Sequence, residues 1–154
     1  MANITIHTAS PGDCAGIYPL ICALASDGWD GAGTAYQPPF AEYAKTFQRI
    51  LRDESKQYFV AKEGENSIGV AGLTVNRSLV EAGDFAFIEE LVVAADSRRN
   101  GAGQLLLAAC IAFAKQQQCQ SVALSTGAAR YAAHRLYEKS GFTRVGVTYV
   151  MDLT

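Results

Sequence analysis

The sequence predicts an α+β (mixed α/β) domain whose sheet is largely antiparallel. Three observations predict this class: an alternating strand pattern near the start of the chain, two apolar patterns of helical spacing after it, and a block of three strand-like segments before the last helices. In chain order the predicted elements are β-α-α-β-β-β-α-β-α-β, an order typical of helices packed on a mostly antiparallel sheet.

The size and composition are those of one globular domain over residues 1–154. Of its residues, 49% are hydrophobic and 18% are charged, which is below the roughly 25% usual for soluble domains and argues against disorder. Alanine, which buries little area, accounts for 25 residues, so the figure of 49% overstates the apolar area that the chain can bury. The net charge of −2 provides no broad attraction for nucleic acid, so we expect no nucleic-acid partner.

In the first half, a strand is predicted at 3–8 and a helix after the turn signal at 10–13. The helix carries Ile17, Leu20, Ile21 and Leu24 on one face. Glycines and prolines predict a loop at 26–39. A second helix is predicted at about 40–53.

In the second half the apolar period changes to that of strands. The segments 57–63 and 67–76 flank a hairpin turn at 64–66, and a further strand is predicted at about 84–94. The remaining predicted elements are a helix at 101–117, a strand at 121–125, a helix at 129–140 ended by Gly141, and a final strand at 145–153.

Neither a membrane segment nor a metal site is expected from the sequence. The first residues lack the basic start and apolar core of a signal peptide, and no apolar run approaches the roughly 18 residues that cross a bilayer. The four cysteines show no metal-ligand spacing, so buried hydrophobes are the simplest interpretation, with a reactive thiol as the alternative. A cytoplasmic protein is therefore expected.

The most informative stretch follows the strand at 84–94, where a polar turn with two arginines leads into a glycine-opened helix. Amides at a helix start lack intrahelical partners and carry the positive end of the helix dipole, so they favour a phosphate. The alternative is an ordinary helix start with solvated arginines. The stretch matches neither a Walker loop nor Gly-x-Gly-x-x-Gly. Its candidate residues are Leu91, Val92, Val93, Arg98, Arg99, Asn100, Gly101, Ala102, Gly103 and Gln104.

Two motifs in this order carry a family resemblance. Arg98-x-x-Gly101-x-Gly103 resembles the acetyl-CoA signature of the GNAT superfamily of N-acetyltransferases. The stretch from Ala133 to Phe142, with Leu136-Tyr137 inside it, resembles the second signature of that family. The resemblance extends over essentially the whole chain. It implies the GNAT fold, with a central, mostly antiparallel twisted sheet of about six to seven strands flanked by four helices.

The resemblance also implies roles for these residues. Backbone groups at Leu91 and Val93 would pair with the pantetheine arm of acetyl-CoA, and the loop 98–103 with the Gln104 amide would hold the pyrophosphate. Tyr137 would act as general acid for the departing thiolate, with a plain core aromatic as the alternative. Arg130 stands three residues before Ala133, where the family often has Asn, and both are candidates for the CoA site.

The candidate general bases are Glu89 and Glu90, two adjacent carboxylates on an otherwise apolar strand. Glu89 is preferred because some enzymes that resemble this chain use that position; others use the position of Phe87, which cannot accept a proton. The alternative is that both are structural and the amine loses its proton to water. His134 is a further candidate base, although a surface or capping role fits it better. Strict alternation predicts two faces for this strand, one with Phe87, Glu89, Leu91 and Val93 and the other with Ala86, Ile88, Glu90 and Val92.

The predicted function is acetyl transfer from acetyl-CoA to the primary amine of a small molecule, by direct attack in a ternary complex. The aromatic and acidic residues in the loop 27–36 favour an ammonium-bearing acceptor, unless they only anchor a surface loop. Leu124-Ser125-Thr126 and the first helix are also similar to bacterial aminoalkylphosphonate N-acetyltransferases. The alternatives are a catalytically silent acyl-CoA-binding module and a protein N-terminal or lysine acetyltransferase. A homodimer is a possible state, since dimers are common among proteins that resemble this chain.

Overall fold

A computed structural model describes residues 3–27, 37–127 and 130–153. Its regular elements confirm the predicted α+β class and the predicted order as far as the last helix. They are β1 (Ile4–Thr8), α1 (Cys14–Asp27), α2 (Phe40–Arg52), β2 (Lys56–Glu63), β3 (Asn66–Ser78), β4 (Gly83–Val93), α3 (Ala102–Gln116), β5 (Val122–Leu124) and α4 (Tyr131–Lys139). Short 3-10 turns at Pro11–Asp13 and Ala95–Ser97 precede α1 and follow β4. The loop predicted to contact the acceptor spans residues 27–36. Its residues 28–36, which include Trp29 and Tyr36, are outside the part of the chain that the structure describes.

The strands pair in chain order, β1-β2-β3-β4-β5. The first four are antiparallel to their neighbours, and β4 and β5 are parallel because α3 connects them across one face of the sheet. The antiparallel pairing of β2 with β3 confirms the predicted hairpin, whose turn contains Gly64 at φ +61.

Helices cover the sheet on both faces and create two cores. On one face, α3 and Tyr137 of α4 pack against strand residues that include Leu73 and Ile88. On the other face, α1 and α2 pack against Tyr58, Val60, Val70 and Val92. The sheet therefore separates two layers, and a functional group on a strand belongs to one of them.

The predicted alternation along β4 is wrong, because a β-bulge interrupts it. Gly72 pairs with Glu90 and the next residue, Leu73, pairs with Ile88, so Glu89 is the extra residue. The bulge reverses the alternation: Ile88 lies on the α3 face, and so does Leu91 three residues later. Val92 and the Glu90 side chain lie on the face of α1 and α2.

The predicted count of six to seven strands is also wrong for the described part of the chain, which forms five. The strand predicted at 145–153 is absent there: its residues have no regular structure, and Val145, Val147 and Tyr149 are more than 80% exposed. One physical reason is Gly146, whose φ of +67 interrupts an extended backbone. One contact of the segment is near the end of β5, where Thr148 Oγ1 lies 3.1 Å from Ser125 Oγ.

Among the described residues, no helix has the length and apolar character needed to cross a membrane, and no three metal-ligating side chains cluster together. All four cysteines are free. Burial in the α3 core raises the pKa of the Cys110 thiol to about 12, so this cysteine is a protonated core residue at neutral pH.

Candidate active site

The start of α3 has the geometry of an anion site. Arg99 (φ +69) and Gly101 (φ +93) adopt left-handed conformations, which turn the chain sharply into the helix. Gly101 suits this position because a Cβ would strain the backbone there. The first hydrogen bond into the helix runs from Leu105 N to Gly101 O at 3.0 Å.

The first amides of α3 are largely free to receive a ligand. Asn100 Oδ1 accepts a hydrogen bond from Ala102 N at 3.3 Å, but the N-cap residue Gly101 contributes no side-chain cap. In the part of the chain that the structure describes, the amides of Gly103 and Gln104 therefore remain available for phosphate oxygens. Arg98 is exposed beside this helix start.

The carboxyl end of β4 lies next to the start of α3 and has an open edge. Its parallel pairing with β5 covers only Ala86 to Ile88, so beyond Ile88 the two strands separate. The outer backbone groups of 89–93 have no β5 partner among the described residues. Arg98 Nε donates to Val93 O at 3.4 Å, which brings the arginine back to the end of β4. An extended polar chain can hydrogen-bond along such an edge.

Tyr137 is buried in the α3 core and follows a residue that packs against the start of α3. Leu136 beside it packs closely on the first turn of α3, where a Cβ on Gly103 would lie 3.4 Å from Leu136 Cδ2. Burial raises the pKa of the Tyr137 hydroxyl, and the positive charge of Arg130 partly opposes the shift. This phenol is therefore a protonated donor at neutral pH.

Arg130 and His134 lie at and within the start of α4. Arg130 is the N-cap residue with a non-helical backbone, and the helix begins at Tyr131. Arg144 donates to His134 Nδ1 at 3.0 Å, and Nε2 of the same ring lies 2.9 Å from Gly127 O. An arginine can only donate, so Nδ1 accepts and Nε2–H donates to the carbonyl. His134 thus has a structural role between two loops, as the capping interpretation expected.

Glu90 is the less exposed of the two adjacent carboxylates. Its side chain lies among residues of α1 and α2, and Tyr58 OH donates a short hydrogen bond to Glu90 Oε2. Burial raises the pKa of the Glu90 carboxyl, the Tyr58 hydrogen bond lowers it, and the charge of Glu89 raises it further, leaving a net rise. A carboxyl whose pKa moves toward neutrality is suited to proton transfer.

Glu89 has a different environment. Its Oε1 accepts a hydrogen bond from Thr74 Oγ1 at 2.6 Å, and Lys56 Nζ lies 3.1 Å from Oε2. Its side chain is 34% exposed. Thr74 on β3 pairs with Lys56 on β2, and Lys56 stands two residues before Tyr58, so these three side chains share one face of the sheet. Glu89 contacts Lys56 and Thr74, and Glu90 contacts Tyr58. The bulge therefore places both carboxylates on that face.

Glu90 lines a cavity of about 410 Å³ between α1, α2 and the sheet. Phe47 and Tyr58 are buried in its interior, whereas Glu42 and Thr46 are exposed at its opening. The lining residues are Ile17, Ile21, Pro38, Pro39, Glu42, Tyr43, Thr46, Phe47, Ile50, Tyr58 and Glu90.

The sequence reasoning missed Tyr58 and Lys56, the partners of the two carboxylates. An aromatic residue and a lysine on a strand have no distinguishing pattern. Gly72 offered a signal, because a glycine inside a strand often marks the close approach of another group. Here a Cβ on Gly72 would overlap the Tyr58 ring, so the glycine leaves room for the tyrosine that holds Glu90.

The comparison with protein families identifies the family of this chain. The model of the acetyltransferase (GNAT) family matches residues 21–142, which is most of the chain. The chain belongs to the GNAT acetyltransferase family. It is an acyltransferase with acetyl-CoA as donor, and the match extends from α1 through the α3 start to Phe142.

Relatives and solved structures agree with this family. The chain is 30% identical to Probable N-acetyltransferase camello from Xenopus laevis, over 92% of this chain and 67% of that protein. It is 30% identical to N-acetyltransferase family 8 member 3 from Mus musculus, over 74% of this chain but only 49% of that one. The chain thus spans about two thirds of the length of the first relative and about half of the second.

Among solved structures, a transcriptional regulator from Bacillus halodurans has a TM-score of 0.84 and 27% identity, over 98% of this chain and 100% of the other. An aminoglycoside N-acetyltransferase in complex with CoA has a TM-score of 0.82 over 100% and 97% of the two chains. Its 17% identity shows a common fold only.

Proposed function

We propose that this GNAT domain acetylates the primary amine of a small molecule, with Glu90 as the general base and Tyr137 as the general acid. The observation that carries the proposal is that the Glu90 carboxyl lines a cavity and accepts a hydrogen bond from Tyr58. The cavity volume of about 410 Å³ lies within the range of roughly 300–1,000 Å³ usual for small-molecule sites.

The donor side of the reaction is assigned to the α3 face. The free amides of Gly103 and Gln104, with Arg98 and Arg99 beside them, suit the pyrophosphate of acetyl-CoA. The open edge of β4 at Leu91, Val92 and Val93 suits the amides of the pantetheine arm. Asn100, Gly101, Ala102, Arg130 and Ala133 complete the set of residues proposed for this site. Acetyl-CoA supplies the acetyl group that is transferred.

The acceptor side is assigned to the α1–α2 face. Glu90 belongs to that face and Tyr137 to the other, and the separation of β4 from β5 beyond Ile88 supports a passage between them. A new carbon–nitrogen bond forms as the carbon–sulfur bond breaks. Glu90 accepts the proton that the nitrogen loses, and the Tyr137 hydroxyl supplies the proton that the departing sulfur gains.

The two carboxylates can be separated by matched substitutions. We expect Glu90→Gln to lower kcat about 100- to 10,000-fold, the usual loss of a general base, and to remove the acidic limb of the pH–rate profile. Glu89→Gln serves as control, because its carboxylate already binds Lys56 and Thr74, and it should lower kcat less than about tenfold.

The measurement is thiol release from acetyl-CoA against a panel of small amines, amino acids and peptides. A larger loss in Glu89→Gln would return the base role to Glu89, and small losses in both would favour water. Release only with peptides would identify a protein acetyltransferase. No release with any acceptor, together with stabilisation by acetyl-CoA, would identify a silent acyl-CoA-binding module.

A further inference from the structure

The walls of the acceptor cavity are apolar and aromatic. Helix α1 contributes two isoleucines, helix α2 contributes Tyr43, Phe47 and Ile50, and Pro38 and Pro39 close the side before α2. The Tyr43 hydroxyl donates to Cys14 O at 2.7 Å, so its polar end is already satisfied and its ring faces the cavity. An acceptor that replaces water here needs an apolar body, because a polar one would lose its hydrogen bonds to water.

The charges of the cavity are of one sign. Among the described residues, the cavity lining contains two acidic side chains, Glu90 and Glu42, and no lysine or arginine. Lys56, the basic residue on the neighbouring strand, is engaged by Glu89 and Thr74. An acceptor with a phosphonate or carboxylate would bring a second anion toward Glu90 without a cation to pair with.

The two carboxylates also differ in exposure. Glu42 is exposed on α2 at the opening, whereas Glu90 is half-buried and accepts a hydrogen bond from Tyr58. The two carboxylates therefore attract an ammonium group, which becomes a nucleophile by releasing one proton to solvent. Glu90 accepts the second proton as the carbon–nitrogen bond forms, while the rest of the molecule remains against aromatic rings. Tyr and Phe faces also stabilise a cation that passes them.

We propose that the acceptor is a primary amine on an aromatic or branched apolar body without an acidic group, such as an arylalkylamine. This inference rests on the proposed function and specifies its substrate class. It disfavours aminoalkylphosphonates, which the sequence resemblance suggested, because the cavity offers carboxylates where a phosphonate needs cations.

The test compares 2-phenylethylamine, hexylamine, 2-aminoethylphosphonate and phenylalanine as acceptors in the thiol-release assay. We expect kcat/KM for phenylethylamine to exceed that for the phosphonate at least about 100-fold, since unpaired groups in a site discriminate strongly. Phenylalanine carries the same ring with an added carboxylate and should be similarly disfavoured. Equal or better use of the phosphonate or of phenylalanine would overturn the inference and leave acetyl transfer standing.

A charge reversal at the opening gives a second, independent test. Glu42→Lys lies at an exposed position, so folding should be preserved, and it should reduce kcat/KM for phenylethylamine several-fold while improving that for the phosphonate. Gln48→Lys, which adds the same charge to an exposed position of α2 outside the cavity lining, is the control and should change neither. An unchanged preference in Glu42→Lys would contradict the assignment of the opening.

Calorimetric binding of phenylethylamine separates this inference from the proposed function. Binding without acetylation would overturn the proposed function and support the amine site, provided that Glu90→Gln weakens the binding. Acetylation of other amines without binding of phenylethylamine would overturn only the substrate class. Neither binding nor acetylation of any amine would overturn both.

Discussion

At the scale of single residues, the site depends on which carboxylate the fold removes from water. Glu89 and Glu90 are adjacent and chemically alike, but Glu89 faces Lys56 and solvent, whereas Glu90 faces Tyr58 and an apolar cavity. The pKa of Glu90 rises because burial disfavours its charge, and the Tyr58 hydroxyl limits that rise by donating to the carboxylate. In the proposed reaction, Tyr58 is therefore a positioning residue that also tunes the pKa of the proposed base.

Tyr58→Phe should move the acidic limb of kcat/KM to higher pH. Losing the hydroxyl removes the hydrogen bond that lowers the pKa of Glu90, so that pKa rises further and more alkaline conditions are needed to ionise the base. The measurement is a pH–rate profile for the best acceptor of the panel. Tyr43→Phe lines the same cavity but its hydroxyl bonds Cys14 O, so it should alter the size of kcat/KM without moving the limb. An unmoved limb in Tyr58→Phe would contradict the tuning role.

At the scale of elements, the start of α1 is attached to the sheet through one buried acid. Asp13 is 5% exposed, its Oδ2 accepts a hydrogen bond from Ser10 N at 2.8 Å, and its Oδ1 lies 2.8 Å from Lys62 Nζ on β2. Burial alone would raise the pKa of Asp13, but the hydrogen bonds from Lys62 and Ser10 produce a net lowering. This contact positions α1, and hence one wall of the acceptor cavity.

We expect Asp13→Asn to lower the free energy of unfolding by about 1.5–3 kcal/mol at pH 7, the usual value of hydrogen bonds to a charged group. The folded pKa of Asp13 is depressed, so its stabilisation is complete above the ordinary carboxyl pKa of 3.8 and is lost as pH falls through the lower folded value. The difference between wild type and variant should therefore shrink as pH falls below about 3.8. Urea unfolding across this range measures it, with the exposed acid substitution Glu54→Gln as control. A pH-independent difference would contradict the ionic contribution.

The elements also show what the sequence could and could not predict. Apolar spacing located the helices through α4, because each buries one face. The strands were located by alternation and by apolar runs between turn signals, since a central strand such as β3 is buried on both faces. The bulge at Glu89 could not be predicted from β4 alone, since it depends on the register between Gly72 and Leu73 on β3. Alternation therefore gave the wrong face to Leu91. The predicted strand at 145–153 failed for a different reason: apolar alternation does not detect the turn at Gly146.

At the scale of the whole molecule, the two layers divide the work of the proposed reaction. The helix start and open strand edge that suit acetyl-CoA were predictable, because glycine and arginine spacing lies in one continuous stretch of sequence from Leu91 to Gln104. The acceptor cavity was not, because its lining comes from α1, α2, β2 and β4, which only the tertiary structure brings together. Local motifs thus suffice to predict a donor site, whereas the proposed acceptor site depends on long-range packing.

If the start of α3 binds acetyl-CoA, the ligand should stabilise the whole domain. At a concentration about 100 times its Kd, binding adds about 2.7 kcal/mol, which for a chain of this size raises Tm by roughly 5–10 °C. Arg98→Ala should reduce the rise, because it removes a positive charge beside the phosphate site. Lys115→Ala, an exposed charge near the opposite end of the same helix, is the control and should leave it unchanged.

Tyr137→Phe distinguishes binding from chemistry in the same thermal measurement. It should retain the rise in Tm, because the proposed role of the hydroxyl is to donate a proton to sulfur, while thiol release falls about 100-fold or more. A full loss of the rise would show that Tyr137 holds the donor. No rise in wild type at millimolar acetyl-CoA would contradict the donor site at the start of α3 altogether, and an equal rise with Arg98→Ala would move it away from that arginine.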